Sequence, residues 1–308
     1  MTPTSQFGRK ATLVVSQGEV GLDLSELRFT FRVSQGDVQS PNNARIKIYN
    51  LADTTSDKIR KEFSRVTLQA GYESSFGIIF DGTIKQFYKG RENATDKFLE
   101  ILAAEADIGY NFGVVNASIA AGSSLINRVN AAASAMGVGV GDIAQPTGGV
   151  LPRGKVLFGM ARDLMRQEAA SQVASWTIQD GKVQVTSLTG YRPGEAVVLN
   201  SGSGMVGIPE ATEEGVRVSC LLNPKLRVGT RFQINQNDIN QIIQQNPDAA
   251  PIPFNQWTGL QLLASVAQDG FYRLFVVEHE GDTRGQQWNS HLIGLSINQA
   301  LQQVKPYG

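Results

Sequence analysis

Apolar side chains recur at every second position in two early stretches of this chain, Leu27, Phe29, Phe31 and Val33 in one and Ala44, Ile46 and Ile48 in the other. That period belongs to a β-strand with one buried face, because successive side chains point to opposite sides of a sheet. Residues 11–15, 66–72, 77–80, 83–88 and 98–104 continue the pattern, with Pro41-Asn42, Asp81-Gly82 and Lys89-Gly90 as turn signals between strands. One helix is expected at 53–63, capped from Thr54 to Ser56, with Ile59 and Phe63 a turn apart on its apolar face. Short strands at this spacing predict a sandwich or barrel.

From Gly113 the chain turns to Ala, Gly and Ser, and helical spacing appears. A helix at 123–136 carries Leu125, Val129, Ala132 and Met136 as its stripe, Ser123 or Ser124 as cap and Gly137 as stop. A second is expected at 156–172 from Leu157, Ala161, Leu164 and Glu168 or Ala169. Strands at 176–179 and 182–188 flank Asp180-Gly181, the signal for a type I′ hairpin. After a Gly/Ser/Pro stretch at 200–209, period-two patterning returns at 216–222, 229–234, 271–278 and 288–295. Residues 235–256, rich in Asn, Gln and Pro, read as a long loop inserted between strands, either a contact surface or a mobile segment. The fold class is therefore mainly β with an α+β insertion: a β domain over 1–112, an α+β domain over 113–200 and a second β domain over 201–308.

Charge narrows the function. The 28 basic and 28 acidic residues cancel, so the chain lacks the positive field that non-specific nucleic-acid binding draws on. The lone Cys220 supports neither a disulfide framework nor a cysteine-rich metal site. The first ten residues are polar, without a secretory apolar core, which predicts synthesis in a cytoplasm. The least charged stretch, 114–143, is broken by Asn116, Ser118, Asn127 and Arg128, so no membrane-spanning segment is expected.

Three local patterns suggest chemistry, each with a plainer alternative. Residues 149–155 match seven positions of a phosphate-cradling loop before the expected second helix, but Val156 replaces the hydroxyl that would hold magnesium and Pro152 removes an amide. Gly202-Ser203-Gly204-Met205-Val206-Gly207 spells a dinucleotide fingerprint without the strand-to-helix context, and Gly139, Gly141 and Ala144 mimic it after a helix. Glu278-His279-Glu280-Gly281-Asp282 gathers acids around one of two histidines, the other being His291, as hydrolytic carboxylates or a metal site would; the plainer reading is a strand running into a solvated loop. No catalytic, metal or cofactor residue is assigned from these patterns.

Residues 271–295, in which a strand ends in His279-Glu280-Gly281-Asp282 and Trp288 opens the returning strand, resemble the closing hairpin of tailed-bacteriophage baseplate hub proteins. Gly215-Val216-Arg217-Val218-Ser219-Cys220-Leu221-Leu222-Asn223-Pro224, followed by Leu226, Gly229 and Ile234, resembles the preceding part of that domain. The N-terminal order of strands, one helix and Phe80-Asp81-Gly82-Thr83-Ile84 is similar to the tube domains of hub and tail-tube proteins. The resemblance implies a non-enzymatic homotrimer in which each chain supplies two tube-like β-barrel or sandwich domains. Its six domains would join a hexameric tail tube or distal tail protein to a trimeric central spike or tip. Other baseplate proteins are implied as neighbours, DNA as passing through without specific binding, and a virion assembled in the host bacterial cytoplasm as the location. Asp282, Arg284 and Trp288 stand where an interface or loop contact is expected, although a Trp on a strand is at least as often plain core. The rivals are an enzyme, either a tail-tip cell-wall hydrolase using Glu278, Glu280 and Asp282 or a nucleotide-binding protein using the loop from Gly149 to Lys155, and another tail component such as a distal tail or tube protein, or the hub-like part of a secretion or tailocin device.

Overall fold

The computed structural model describes residues 7–143, 149–188, 190–212, 215–235 and 270–296. It is mainly β, with three sheets and four α-helices among those residues. The expected insertion at 235–256 lies, beyond Asn235, outside the described residues.

The N-terminal region contains β1 (Arg9–Gln17), β2 (Val20–Asp23), β3 (Phe29–Gly36), β4 (Asn43–Tyr49), α1 (Asp53–Glu62), β5 (Arg65–Tyr72), β6 (Ser75–Arg91) and β7 (Lys97–Ala104). Their inward residues, among them Leu13, Phe29, Phe31, Ile46, Leu68 and Ile101, share one buried core. The expected turn at Asp81-Gly82 is instead the middle of a 17-residue strand. β6 pairs with β5 through Thr83 and with β7 from Thr83 onward, bending at bulges beside both ladders. A Cβ on Gly82 would stand 2.7 Å from the Ala104 carbonyl oxygen, so this glycine admits a close corner between two ladders. Lys89-Gly90 likewise lies within β6, because that strand keeps pairing with β7 to Arg91. Helix α1 begins at Asp53 as expected, but its cap position is Ala52, with no side-chain cap, rather than any of Thr54 to Ser56, and it buries Ser56 and Ile59.

The middle region holds α2 (Asp107–Phe112), β8 (Val114–Ile119), α3 (Leu125–Met136), β9 (Gly139–Ile143), β10 (Lys155–Met160), α4 (Ala161–Ser171), β11 (Ala174–Gln179) and β12 (Lys182–Ser187). Asn127 Oδ1 accepts from both the Ser124 amide and hydroxyl, and Gly137 ends α3 at φ +67°. Asp180 and Gly181 both take positive φ, as a type I′ hairpin requires. The expected helix at 156–172 divides. Residues Lys155–Met160 form a strand antiparallel to β8, and only Ala161–Ser171 is helical. Alternation decides the first part, since Leu157 is buried between exposed Val156 and Phe158. α3 and α4 cover β8, β9 and β11 around a second core centred on Trp176.

The C-terminal region adds β13 (Val197–Leu199), a 3-10 turn (Ser201–Ser203), β14 (Met205–Thr212), β15 (Gly215–Leu221), β16 (Arg231–Ile234), β17 (Phe271–Asp282) and β18 (Trp288–Leu295) around a third core. One sheet of thirteen strands runs through both β regions in the order β14-β15-β18-β17-β3-β4-β7-β6-β5-β1-β2, with β16 on β17 and β13 on β16. β17 makes that continuity. One edge pairs with β18 throughout, while the other pairs with β16 at Phe271–Arg273 and then, past a bulge, with β3 from Val276↔Gly36 to Asp282↔Thr30.

Trp288 anchors the same junction. It is 1% exposed, packs edge-on against Phe31 at 5.5 Å and donates from Nε1 to the Gly71 carbonyl at 3.3 Å. Arg9 of β1 donates to the Gly285 and Gln286 carbonyls at 2.9 and 3.0 Å, so the N-terminal strands curl back onto the β17–β18 hairpin. Trp288→Ala is expected to cost about 3–5 kcal/mol in a denaturant titration. A loss below about 1 kcal/mol would show that this ring does not hold the two β regions together.

Candidate functional site

Because β17 alternates, the acidic cluster noticed in the sequence separates. His279 points inward and is fully buried, while Glu278 and Glu280 point to the opposite face. His279 Nδ1 lies 2.7 Å from Ser290 Oγ, and burial, followed by the charge of Arg227, lowers its pKa to about 3, so it stays neutral. The acids therefore do not surround it.

On the outward face each acid has its own cation or imidazole. Glu278 pairs with Arg32 of β3, and Glu100 of β7 pairs with Arg45 of β4. Glu280 Oε1 lies 3.0 Å from His291 Nε2, and His291 Nδ1 lies 2.9 Å from Ser219 Oγ. Register explains the row, since Ser219 stands opposite His291 and Arg32 opposite both Arg45 and Glu280. The outcome is a polar band across six adjacent strands, β15, β18, β17, β3, β4 and β7, in which Arg32 and Arg45 stand opposite each other and each pairs with a glutamate on its other side. The Ser219–His291–Glu280 chain can relay a proton. Its serine sits between ladder partners Val206 and His291, within strand backbone rather than at a turn that aims free amides at a substrate.

The three residues expected at an interface have different surroundings. Asp282 accepts from Arg28 at 2.9 Å and from the Arg284 amide at 2.9 Å. Burial opposes ionisation of Asp282, but Arg28 and the Arg284 and Gly285 amides outweigh it and hold the carboxyl below its ordinary value. Trp288 is enclosed in the chain's own core. Arg284 is exposed, although one guanidinium nitrogen donates to the Glu26 carbonyl at 3.2 Å.

The other motifs lack the geometry their chemistry needs. Residues 149–155 lead into β10 rather than a helix N-terminus, so no helix end faces a phosphate there. Gly202–Gly207 runs from a 3-10 turn into β14, again a strand. Gly139 and Gly141 lie in β9, and Ala144 falls outside the described residues. Among the described residues no group of three His, Cys, Asp or Glu side chains could hold a metal. Cys220 is buried, which pushes its thiol up to about 12.

Sequence reading missed the buried polar groups where the three cores meet. Arg273 of β17 pairs with Asp37, just past β3, with both side chains 3% exposed. Ser175 of β11 donates to the same carboxylate at 2.8 Å, and Arg273 donates to the Ser187 carbonyl at 2.6 Å. Nearby, Asn42 donates to Glu105 Oε2 at 2.8 Å and to the Ile178 carbonyl at 2.9 Å. Burial raises the Glu105 carboxyl to about 8, keeping it protonated at neutral pH. The one visible signal was an arginine inside the apolar run Phe271-Tyr272-Arg273-Leu274-Phe275, where a charge requires a buried partner.

Comparison with known proteins places this architecture. The family model described as Baseplate hub gp41 matches residues 10–246. No curated protein matches the sequence. Among solved structures, the 43 kDa tail protein of prophage MuSo2 from Shewanella oneidensis aligns with a TM-score of 0.59 at 7% identity, covering 94% of this chain and 98% of that one. A tail protein from Neisseria meningitidis MC58 aligns with a TM-score of 0.59 at 8% identity, covering 94% and 97%. An Escherichia coli component of the type VI secretion system, described as structurally similar to the T4 tail proteins gp27 and gp5, aligns with a TM-score of 0.50 at 9% identity over 94% and 76%. At such identities the likeness is one of fold: the chain has the mainly β fold of phage tail proteins.

Glu105 yields a pH test. Between its ordinary value of 4.5 and about 8 the folded chain holds a proton that the unfolded chain has released. Its contribution to stability is therefore complete below that window and is lost as pH rises through it. Unfolding free energies measured at pH 5 and pH 8 should fall more steeply for the wild type than for Glu105→Gln. Parallel slopes would contradict the buried neutral carboxyl.

Proposed function

The chain belongs to the baseplate hub gp41 family and is a phage tail structural component, and on that premise we propose that three copies form the axial ring of a baseplate. In this reading the ring joins a hexameric tail tube, or a distal tail protein, to a trimeric central spike or tip and lets DNA pass. The observation that carries it is the β17–β3 ladder, which sets two curled sheet regions side by side in one chain, each with its own core. Three such chains supply six neighbouring sheet regions. We accordingly divide the chain into tube-like domains at 1–112 and 201–308 with the α+β unit between them.

The polar band formed by Arg32, Arg45, Glu100, Glu278, Glu280 and His291 is the face proposed to line the conduit. Each arginine of the band is held by a glutamate, and paired cations give sliding DNA no continuous phosphate track to bind. Arg284 is the member of the Asp282, Arg284 and Trp288 set retained as a contact for neighbouring baseplate proteins, since its side chain reaches solvent. A map of the assembled tail tip tests the ring: three copies around the axis are expected, and a chain placed off the axis overturns it.

The Ser219–His291–Glu280 relay favours one second reading, a tail-tip hydrolase of cell-wall material. Peptidoglycan zymography separates the two. The structural reading expects no clearing by the wild-type chain, whereas clearing that Glu280→Gln abolishes would make the chain an enzyme.

A further inference from the structure

An apolar surface lies on the ribbon formed by β8 and β10. Residues that alternate inward, Val115 and Leu157, are buried in the second core, while Val114, Val156 and Phe158 face out, with Ser118 and Asn116 opposite Val156 and Phe158. Phe158 is 80% exposed, and Phe112 at the end of α2, one residue before β8 begins to turn outward, is 75% exposed. Among the described residues the ribbon has two strands, so both outer edges carry unpaired backbone groups. Phenylalanines standing open on an unpaired ribbon have the character of interface anchors.

A second apolar surface lies where the thirteen-stranded sheet ends. Val198 of β13, with Val206 and Ile208 of β14, is 43–48% exposed on elements of the third core, and both strands are terminal in their sheet paths. The 3-10 turn ties them together, Ser203 Oγ donating to the Val198 carbonyl at 2.7 Å. The two surfaces differ at their rims. Exposed Arg153 and Lys155 flank the ribbon, Lys155 also reaching Glu168 at 3.2 Å, whereas exposed Glu195 and Glu210 flank the sheet end, with Arg217 opposite Glu210.

We propose that these surfaces meet between copies: the β8–β10 ribbon of one chain docks on the β13–β14 end of the next. The occupant is a second copy of this chain because two different apolar surfaces with basic and acidic rims complement each other head to tail. Such a heterologous contact closes a ring of three where it turns each copy by a third of a circle, and runs on as an open filament where it does not, whereas a self-matching patch stops at two. The inference rests on the trimeric reading above and specifies where its contact lies.

Cross-linking tests it in the full-length chain, because the native Cys220 is buried and leaves introduced thiols as the reactive ones. Phe158→Cys and Ile208→Cys variants of different tag length, mixed at up to about 1 mM and oxidised, should form a disulfide between one chain of each kind. The double variant should run as a covalent trimer under denaturing conditions. Phe158→Asp should lower the trimer fraction at least about tenfold while leaving the unfolding midpoint unchanged at a dilution where the wild type is also dissociated, since the side chain lies outside the core. A trimer without the mixed disulfide overturns this contact and leaves the ring standing. Mixed cross-links in open filaments keep the contact and overturn the ring. Phe158→Cys chains that cross-link to each other, or a chain monomeric throughout, overturn the contact.

Discussion

The ladder between β3 and the second half of β17 sets the arrangement of everything else. Without it the chain would hold two separate curled sheets. With it, backbone hydrogen bonds fix the register of one sheet against the other, from Val276↔Gly36 to Asp282↔Thr30. With β3 held in place, a slip of β17 by one residue would turn His279 outward and carry Glu278 and Glu280 into the core. The polar band on the outer face and the apolar core beneath it are therefore two results of one register.

Buried polar groups complete that junction. The Arg273–Asp37 pair touches β17, the end of β3 and, through Ser175 and Ser187, the α+β unit. Such a pair contributes little over a well-packed apolar contact, yet any other seating of the three parts leaves a charge buried and alone. Orientation is its role. Asn42, which bridges Glu105 to the Ile178 carbonyl, acts in the same way between the N-terminal sheet and the hairpin at Asp180-Gly181.

Local signals in the sequence were read well where local rules decide the outcome. The period-two strands, the Ser124 and Gly137 ends of α3 and the Asp180-Gly181 hairpin follow from backbone chemistry within a few residues. Failures came where distant partners decide. Gly82 reads as a turn until Ala104 is known to press against it, and 155–160 reads as helix until β8 is known to lie alongside. The acids at 278–282 are adjacent in sequence, yet the strand sends His279 and the two glutamates to opposite faces, in keeping with the plainer reading of that stretch as a strand end. Trp288, which the sequence offers as an interface contact or as core, lies in the core, and no nearby letter reveals its hydrogen-bond partner Gly71, 217 positions away.

The β17–β3 ladder also sets an order of events during synthesis. Gly36 of β3 leaves the ribosome roughly 240 residues before Val276, its partner. At about 5–20 residues per second, the N-terminal sheet waits from about ten seconds to most of a minute with that edge open. Throughout that interval the open edge of β3 is a template for any other strand, including the β17 of a neighbouring chain on the same message. A protein made in many copies at once is thus exposed to strand exchange between nascent chains, and the short wait for its own C-terminus is the interval that a chaperone would have to cover.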